Sequence, residues 1–192
     1  MENRGRRSHL LYLLYENHCI LYEHDPTRHF VVPSGRTPYW IDLDSAFSNT
    51  ELSGMIAELI WNEISHNSFD FLVAGVPAAG PLGIAPIAGY LSIHRKKPLV
   101  IWNEIRFGEA SFTSDPTSGK KAIVIHDTVC AGKTLSRIVA DVREMGVICD
   151  TAVVVVDREE EAKKNLSRQG IELRSVLTLV EIDRYRKERE HE

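Results

Sequence analysis

From residue 69 onward, apolar runs of strand length alternate with stretches of helical periodicity, and this alternation restricts the fold more than any other feature. Strands are predicted at Phe69–Val76, Leu99–Trp102, Ala122–Ile125, Thr151–Val156 and Leu173–Leu179. Helices are predicted between them at Leu82–Ile93, Thr134–Glu144 and Glu159–Arg168. Such alternation predicts an α/β fold, with a parallel sheet, right-handed crossovers and helices on both faces.

The residues before this region follow a different pattern. Helical spacing begins at Leu10 and becomes strand-like over Cys19–Tyr22. Short strands are predicted at His29–Val32 and Tyr39–Leu43, on either side of a turn-rich loop. A capped helix is predicted to run from Thr50 to Ile64.

Length, charge and cysteine content exclude several classes of protein. A chain of 192 residues forms one domain with a single core. The net charge of −4 argues against nucleic acid as a partner, because proteins that bind nucleic acid are usually basic. No apolar stretch reaches the roughly 20 residues that a membrane span needs. The three cysteines, Cys19, Cys130 and Cys149, fit neither a disulfide framework nor a zinc motif, which predicts a reducing cytoplasm.

The stretch 121–135, Lys-Ala-Ile-Val-Ile-His-Asp-Thr-Val-Cys-Ala-Gly-Lys-Thr-Leu, combines a strand, an acid, a loop of small residues and a helix start. The backbone N–H groups of such a loop can converge on an anion at a helix N-terminus, where the helix dipole favours negative charge. This arrangement predicts a phosphate site. Asp127 is placed to meet sugar hydroxyls or a bound cation beside it.

Ligands of parallel sheets bind beyond the carboxyl ends of the strands. Three loops are expected to converge at that edge, namely Pro77–Gly80, Asp127–Lys133 and Asp157–Arg158. Arg158 is either an ordinary exposed arginine at a helix start or a residue that recognises a carboxylate. The second role suits arginine because its planar guanidinium can bind both carboxylate oxygens.

The stretch 121–135 resembles the phosphoribosyl pyrophosphate (PRPP) motif of the type I phosphoribosyltransferases, whose usual form has two acidic residues, an apolar pair, Thr-Thr/Ala-Gly and a Thr or Ser. Three further stretches are similar, in order and approximate spacing, to motifs of the orotate phosphoribosyltransferase family. They are Ser34–Tyr39, similar to Ser-Gly-x-x-Ser-Pro-Tyr but one residue shorter, Ala74–Gly80, similar to the pyrophosphate loop, and Val156–Glu160, similar to Asp-Arg-x-Glu.

The resemblance implies a Rossmann-like phosphoribosyltransferase domain with a small N-terminal hood at 1–48, a core at 49–180 and a charged tail at 181–192, expected to be a frayed helix. It implies transfer of ribose 5-phosphate from PRPP to a nucleobase, with orotate favoured, as in pyrimidine nucleotide biosynthesis. Mg²⁺ is expected as cofactor, held mainly by PRPP oxygens and water, with Asp127 as a candidate protein contact. A homodimer is also implied, and the apolar segment Leu10–Leu14 offers some support for it.

The resemblance also assigns roles to particular residues. The PRPP loop consists of His126, Asp127, Thr128, Val129, Cys130, Ala131, Gly132, Lys133 and Thr134. The pyrophosphate loop consists of Pro77, Ala78, Ala79 and Gly80. The base site consists of Arg158, Arg36 and Tyr39. The implied catalytic residues are Asp127 and Arg106.

Within the PRPP loop the chain departs from the family pattern. His126 stands at the first acidic position, where it either serves as a neutral hydrogen-bond partner for ribose or marks a weakened site. Cys130 replaces a hydroxyl residue, and a thiol is the weaker donor. Lys133 has no equivalent in the usual motif, and it either contacts the 5′-phosphate or points to solvent.

A larger departure follows the strand Leu99–Trp102. The family usually has a mobile loop there with an Arg-Lys-x-x-Lys-x-His series, whereas residues 102–108 read Trp-Asn-Glu-Ile-Arg-Phe-Gly and retain only Arg106 as a cation. Pro33 replaces a further lysine in the N-terminal loop. Each lost donor to a leaving anion costs on the order of 10²–10³ in rate. Two alternatives therefore stay open: a PRPP- or nucleotide-binding regulator of the same fold with weakened catalysis, and an enzyme with altered base preference, which Trp40 suggests.

Overall fold

The structure of the chain is a computed structural model that describes residues 2–32, 35–76, 83–104 and 110–191. Its helices are α1 Glu2–Glu16, α2 Thr50–Ile64, α3 Ala85–Arg95, α4 Lys133–Glu144, α5 Ala162–Ser167 and α6 Leu179–Glu190, with a 3-10 helix at Ser45–Ser48. Its strands are β1 Ile20–Tyr22, β2 Phe30–Val32, β3 Gly35–Thr37, β4 Tyr39–Ile41, β5 Phe71–Val76, β6 Leu99–Glu104, β7 Ala110–Phe112, β8 Lys121–Val129, β9 Ile148–Asp157 and β10 Glu172–Thr178. None of the described helices is long and apolar enough to cross a membrane.

Strands β5 to β10 form a six-stranded sheet in the order β10-β9-β8-β5-β6-β7. All neighbours are parallel except β7, which runs antiparallel to β6, so the predicted α/β fold with a parallel sheet is confirmed. After the predicted strand Leu99–Trp102 the structure forms a further short strand, β7, with Phe112 opposite Trp102, which the sequence does not predict. A three-residue strand is too short for hydrophobic periodicity to reveal.

The central strands bury side chains on both faces, which explains their continuous apolar composition. One face, which includes Ala74, Ile125 and Val155, belongs to the same hydrophobic core as residues of α1, α2, α3 and α6. The opposite face, which includes Val73 and Val124, packs against α4 and α5. The prediction of helices on both faces is therefore confirmed.

The layer before α2, which we call the hood, comprises α1, the 3-10 helix and two antiparallel strand pairs, β1–β4 and β2–β3. Leu10 and Leu14 of α1 are fully buried in the same core as the sheet. The apolar segment Leu10–Leu14 therefore packs inside the chain and does not form the subunit surface that its composition suggests. Only Tyr12 of this segment is exposed.

The C-terminal segment is a packed helix within the described residues, and not the frayed end that its charge suggests. A capping box begins α6, because Thr178 Oγ1 accepts the Glu181 N–H at 3.2 Å and Glu181 Oε2 accepts the Thr178 N–H at 2.8 Å. Ile182 is the one buried residue of the helix. Leu179 and Tyr185 pack against the same core, and polar contacts of Asp183 and Arg186 add to this apolar face.

Tyr39 of β4 joins the hood to α6 through its hydroxyl group. Tyr39 Oη donates to Asp183 Oδ1 at 2.5 Å and accepts from Arg186 Nε at 3.0 Å, and the Arg186 guanidinium lies 4.0 Å from the centroid of the Tyr22 ring. Burial and the hydrogen bond to Asp183 raise the pKa of Tyr39. Hydrogen bonds from Lys187 and then Tyr39 lower the pKa of Asp183. The network anchors the hood strand to the end of the chain.

Replacing Tyr39 by Phe tests this anchor. We expect the free energy of unfolding at pH 7, measured by urea denaturation, to fall by about 1–3 kcal/mol, because the ring is retained while a buried bond to charged groups is lost. Because folding lowers the pKa of Asp183, the stability it contributes is complete above its unfolded value of about 3.9 and is lost as the pH falls through the folded pKa. The difference between wild type and variant should therefore narrow at acidic pH.

Tyr12→Phe is the matched control, since Tyr12 is 45% exposed on α1. Its free energy of unfolding should stay within about 0.5 kcal/mol of wild type. Equal losses in the two variants would contradict the anchoring role of Tyr39.

Candidate active site

Strand β8 carries the predicted phosphate site to the carboxyl edge of the sheet. The sequence predicts that the strand ends at Ile125, but it continues for four further residues, to Val129, because Thr128 and Val129 still pair with the long strand β9. Helix α4 begins at Lys133. The turn that joins β8 to α4 therefore contains only residues 130–132.

This turn has the form that an anion site needs. Gly132 has a φ of +84°, a left-handed conformation that favours glycine, and a Cβ there would lie 3.1 Å from Leu166 Cγ. Asn165 of α5 donates from Nδ2 to the Ala131 carbonyl at 3.0 Å and holds the turn against α5. The N-cap residue of α4, Gly132, has no side chain to cap the helix, which suits the first N–H groups of α4 to binding an anion.

A cavity of about 320 Å³ lies at this turn, and the residues assigned to the PRPP loop line it. The lining residues are His126, Asp127, Thr128, Val129, Cys130, Ala131, Gly132, Lys133, Thr134 and Leu135. Lys133 and Thr134 are exposed, whereas Val129 and Gly132 are buried. The structure thus brings all nine predicted residues to one cavity.

Asp127 has one carboxylate oxygen held by its neighbours. Asp127 Oδ1 lies 2.6 Å from His126 Nδ1 and accepts the Thr128 N–H at 2.5 Å. Burial acts to raise the pKa of Asp127, but the His126 ring and the Thr128 N–H outweigh it, so the pKa is lowered. Asp127 therefore carries a negative charge at neutral pH. Its Oδ2 lies on the side of Gly83, where a Cβ would be 3.7 Å away.

The His126 ring packs between β5 and α4, and Gly75 makes room for it. A Cβ at Gly75 would lie 3.1 Å from His126 Cδ2 and would overlap Ile138 Cδ1. Only 14% of the His126 side chain is exposed. The histidine at the first acidic position is thus held against Asp127 by its surroundings.

The hood reaches the same edge through Asp44. Asp44 Oδ1 accepts the Gly83 N–H at 3.1 Å. Burial raises the pKa of Asp44, and the charge of Asp127 adds to this, while the Gly83 N–H opposes it. Sequence reasoning missed Asp44, because no motif marks a contact between residues so far apart in the chain.

Arg158 enters the site from the end of β9. Its side chain is 5% exposed, and Nη2 donates to Thr37 Oγ1 of β3 at 2.9 Å. Its Nε lies 3.4 Å from Glu160 Oε1. Arg158 is therefore not an ordinary exposed arginine, because its side chain is buried against the hood.

The remaining predicted residues are less closely associated with the cavity. Arg36 is exposed on β3. The Tyr39 hydroxyl contacts Asp183 and Arg186 of α6, and a role of Tyr39 in the base site stays a prediction. The catalytic candidate Arg106, the loop Pro77–Gly80, and Pro33 all lie outside the described residues.

Trp102 begins the stretch 102–108, which departs most from the family pattern. Its side chain is buried on β6. Trp102 Nε1 donates to Asp141 Oδ2 at 2.7 Å. The Arg137 guanidinium lies 5.3 Å from the centroid of the Trp102 ring and donates to Glu104 Oε1 at 2.5 Å. These contacts join β6 to α4, the helix whose first turn borders the cavity.

The site offers few protein ligands for a metal. In the part of the chain that the structure describes, no group of three or more His, Cys, Asp or Glu side chains is placed to hold an ion. Asp127 and Asp44 nevertheless bring two carboxylates to this edge, one charged and one with a raised pKa. Such a set suits a cation that is held mainly by ligand oxygens and water.

Comparison with models of known protein families finds no match, but similarity to individual proteins covers nearly the whole chain. The chain is 33% identical to the orotate phosphoribosyltransferase of Methanocaldococcus jannaschii over 181 residues, 92% of this chain and 97% of that protein. It is 30% identical to the orotate phosphoribosyltransferase of Methanosphaera stadtmanae over 187 residues, 93% of this chain and 97% of that protein. The crystal structure of orotate phosphoribosyltransferase from Aeropyrum pernix matches with a TM-score of 0.76 at 28% identity, over 90% of this chain and 95% of that one.

Gly75→Ala tests the packing that holds His126 against Asp127. The added methyl group must displace Ile138 or the His126 ring, so we expect the free energy of unfolding to fall by about 1–3 kcal/mol in chemical denaturation. Gly54→Ala is the control, because a Cβ there meets nothing within 4 Å. In the interior of α2 this change should stabilise the protein by about 0.5–1 kcal/mol. Changes of the same sign in both variants would contradict the packing described at Gly75.

Proposed function

The chain belongs to the orotate phosphoribosyltransferase family, and we propose that it transfers ribose 5-phosphate from PRPP to orotate in pyrimidine nucleotide biosynthesis. In this reaction a nitrogen of the base displaces pyrophosphate from the anomeric carbon of PRPP. The observation that carries the proposal is a single cavity with a charged carboxylate, Asp127, and the glycine-led start of α4 in its walls. The buried Arg158 directly follows the neighbouring strand β9, and its N–H donates to the Val129 carbonyl of β8.

The turn 130–132 and the first N–H groups of α4 suit the 5′-phosphate, because they combine backbone donors with the positive end of the helix dipole. Lys133 is exposed beside them, where its ammonium group can reach the same phosphate. Cys130 replaces a hydroxyl donor in this turn. The backbone donors do not depend on that side chain, so they support binding without it.

Asp127 suits the ribose hydroxyls, since an ionised carboxylate only accepts hydrogen bonds and a sugar hydroxyl can donate them. The Thr128 N–H donates to Oδ1 and the His126 ring packs 2.6 Å from it, so both restrict the carboxylate before the substrate arrives. Groups that are oriented in advance need no rearrangement during the transfer, which is the main source of catalysis in a reaction of this kind. We propose that His126 positions Asp127 and does not itself replace the missing carboxylate.

Arg158 suits the carboxylate of orotate, because its planar fork can bind both oxygens. Arg36 is exposed at the neighbouring hood strand and stays a candidate for the base site. For the leaving pyrophosphate, the loop Pro77–Gly80 and Arg106 stay predictions that rest on the family pattern. Tyr39 is better explained as the anchor between the hood and α6 than as a base contact.

Mg²⁺ is the cofactor that we propose, with Asp127 as its nearest protein carboxylate and PRPP oxygens and water as its other ligands. When bound, the ion would neutralise negative charge on the pyrophosphate group. The scarcity of clustered metal ligands in the described chain is consistent with an ion that arrives with its substrate.

His126 favours a second candidate function, a regulator that binds PRPP but turns it over poorly. A histidine cannot supply the permanent charge of the acid that it replaces. The enzyme and the regulator would both bind PRPP. Only the enzyme would release pyrophosphate when a base is added.

We further propose that the chain is one domain, with the hood at 1–48, the core at 49–180 and a tail at 181–192.

We also propose that it forms a homodimer in a reducing cytoplasm. The reducing compartment is supported by three cysteines that form no disulfide in the described structure. The homodimer rests on the family resemblance. Light scattering should give twice the mass of one chain, and the mass of a monomer would overturn it.

Pyrophosphate release tests the function directly. With PRPP and Mg²⁺, the wild-type protein should release pyrophosphate faster with orotate than with uracil or adenine. Asp127→Asn keeps the size of the side chain but removes its charge, so kcat/KM for PRPP should fall by roughly 10²–10³, the usual effect of losing one preorganised electrostatic contact.

Asp150→Asn is the matched control, because Asp150 lies near the amino end of β9 and pairs with Lys121 at 2.9 Å. This variant should keep the wild-type rate. Equal rates for wild type and Asp127→Asn would remove Asp127 from the mechanism. PRPP binding in calorimetry without release for any base would favour the regulator.

A further inference from the structure

Arg158 is a buried cation to which the described residues offer few acceptors. Its guanidinium carries five N–H donors. Thr37 Oγ1 lies 2.9 Å from Nη2, and Glu160 Oε1 lies at the longer distance of 3.4 Å from Nε. Burial of a charge is costly unless it is paired, so this side chain is suited to receive an anionic ligand.

The backbone at Arg158 is fixed separately from its side chain. The Arg158 N–H donates to the Val129 carbonyl at 2.9 Å, which ties this residue to the strand of the phosphate site. Asp157 Oδ1 accepts the Glu159 N–H at 2.8 Å and closes the turn that follows. The direction of the guanidinium therefore depends on the groups that contact its nitrogens.

Thr37 is itself held in place by the hood. Thr37 is 7% exposed and lies on strand β3, where it pairs with Phe30 of β2. Thr37 Oγ1 also accepts the Tyr39 N–H at 3.2 Å. Because the Tyr39 hydroxyl is bonded to α6, the position of the Thr37 hydroxyl is set by the packed core and not by Arg158.

On the basis of the proposed function, we propose that Thr37 is a positioning residue that orients Arg158 for bases that carry a carboxylate. A guanidinium forms two parallel bonds to a carboxylate only when its plane has the correct orientation. Thr37 holds one terminal nitrogen, Nη2, and so restricts rotation of that plane. A hydrogen bond from a charged donor is about twice as strong as a neutral one, which makes one hydroxyl sufficient for this restraint.

Steady-state kinetics of Thr37→Val tests the proposal, because valine keeps the shape of threonine and removes the acceptor. The KM for orotate should rise about tenfold, the effect of losing one hydrogen bond to a charged group. The KM for PRPP and the kcat at saturation should stay at their wild-type values, because Arg158 is the site residue that the Thr37 hydroxyl contacts. The bond that the same hydroxyl accepts from the Tyr39 N–H belongs to the hood, so its loss should appear in the thermal unfolding of the variant. Thr37→Ser restores the hydroxyl and should restore the KM for orotate.

Thr27→Val is the matched control, since the Thr27 hydroxyl donates to Asp25 on the exposed side of the hood and lies away from Arg158. Both KM values should be unchanged in this variant. Thermal unfolding of each variant reports its folding, and Thr37→Ala gives a second test of the lost hydroxyl if Thr37→Val does not fold.

Two results would overturn the proposal while the proposed function stands. One is an active wild type whose KM for orotate is unchanged in Thr37→Val and Thr37→Ala. The other is an equal rise of the KM values for orotate and PRPP, which would indicate general damage to the hood. A wild type that releases no pyrophosphate with any base would remove the proposed function, and this inference with it.

Discussion

The contact between His126 and Asp127 at the end of β8 is the interaction on which the geometry of the site depends. Together with the Thr128 N–H it restricts one carboxylate oxygen, Oδ1, while Oδ2 lies on the side of Gly83. The ring can take this place only because residue 75 is glycine and because Ile138 closes the space from α4. The His126 ring thus contacts β5 and α4 as well as belonging to β8. A substitution of His126 would therefore change both the packing of these elements and the charge environment of Asp127.

The hood belongs to this geometry because it shares a hydrophobic core with the sheet and contacts the edge at two polar points. Asp44 accepts the N–H of Gly83, and Thr37 accepts from Arg158. Tyr39 then joins the hood to α6, the last helix of the chain. The hood is therefore bound both to α6 and to Arg158 and Gly83, so its stability and the orientation of these residues depend on neighbouring contacts.

The sequence predicts the parts of the structure that depend on local pattern. The strand and helix alternation has a period that propensity can detect, and the Gly132 turn is marked by adjacent small residues. What it could not predict are contacts between distant segments, such as Asp44 with Gly83 or Asn165 with the Ala131 carbonyl, because such pairs leave no trace in a single sequence. The packing of α6 is hidden for a related reason, since its apolar face consists only of Leu179, Ile182 and Tyr185 within a strongly charged segment.

The crystal structure of the protein with saturating ribose 5-phosphate tests most directly whether this edge is a sugar-phosphate site. We expect the phosphate oxygens to lie about 2.7–3.2 Å from the N–H groups of the turn 130–132 and the first turn of α4. Asp127 Oδ2 should accept hydrogen bonds from the ribose hydroxyls while Oδ1 stays against His126. Ribose 5-phosphate bound elsewhere with this turn empty, or bound here with Asp127 directed away from the sugar, would contradict the account.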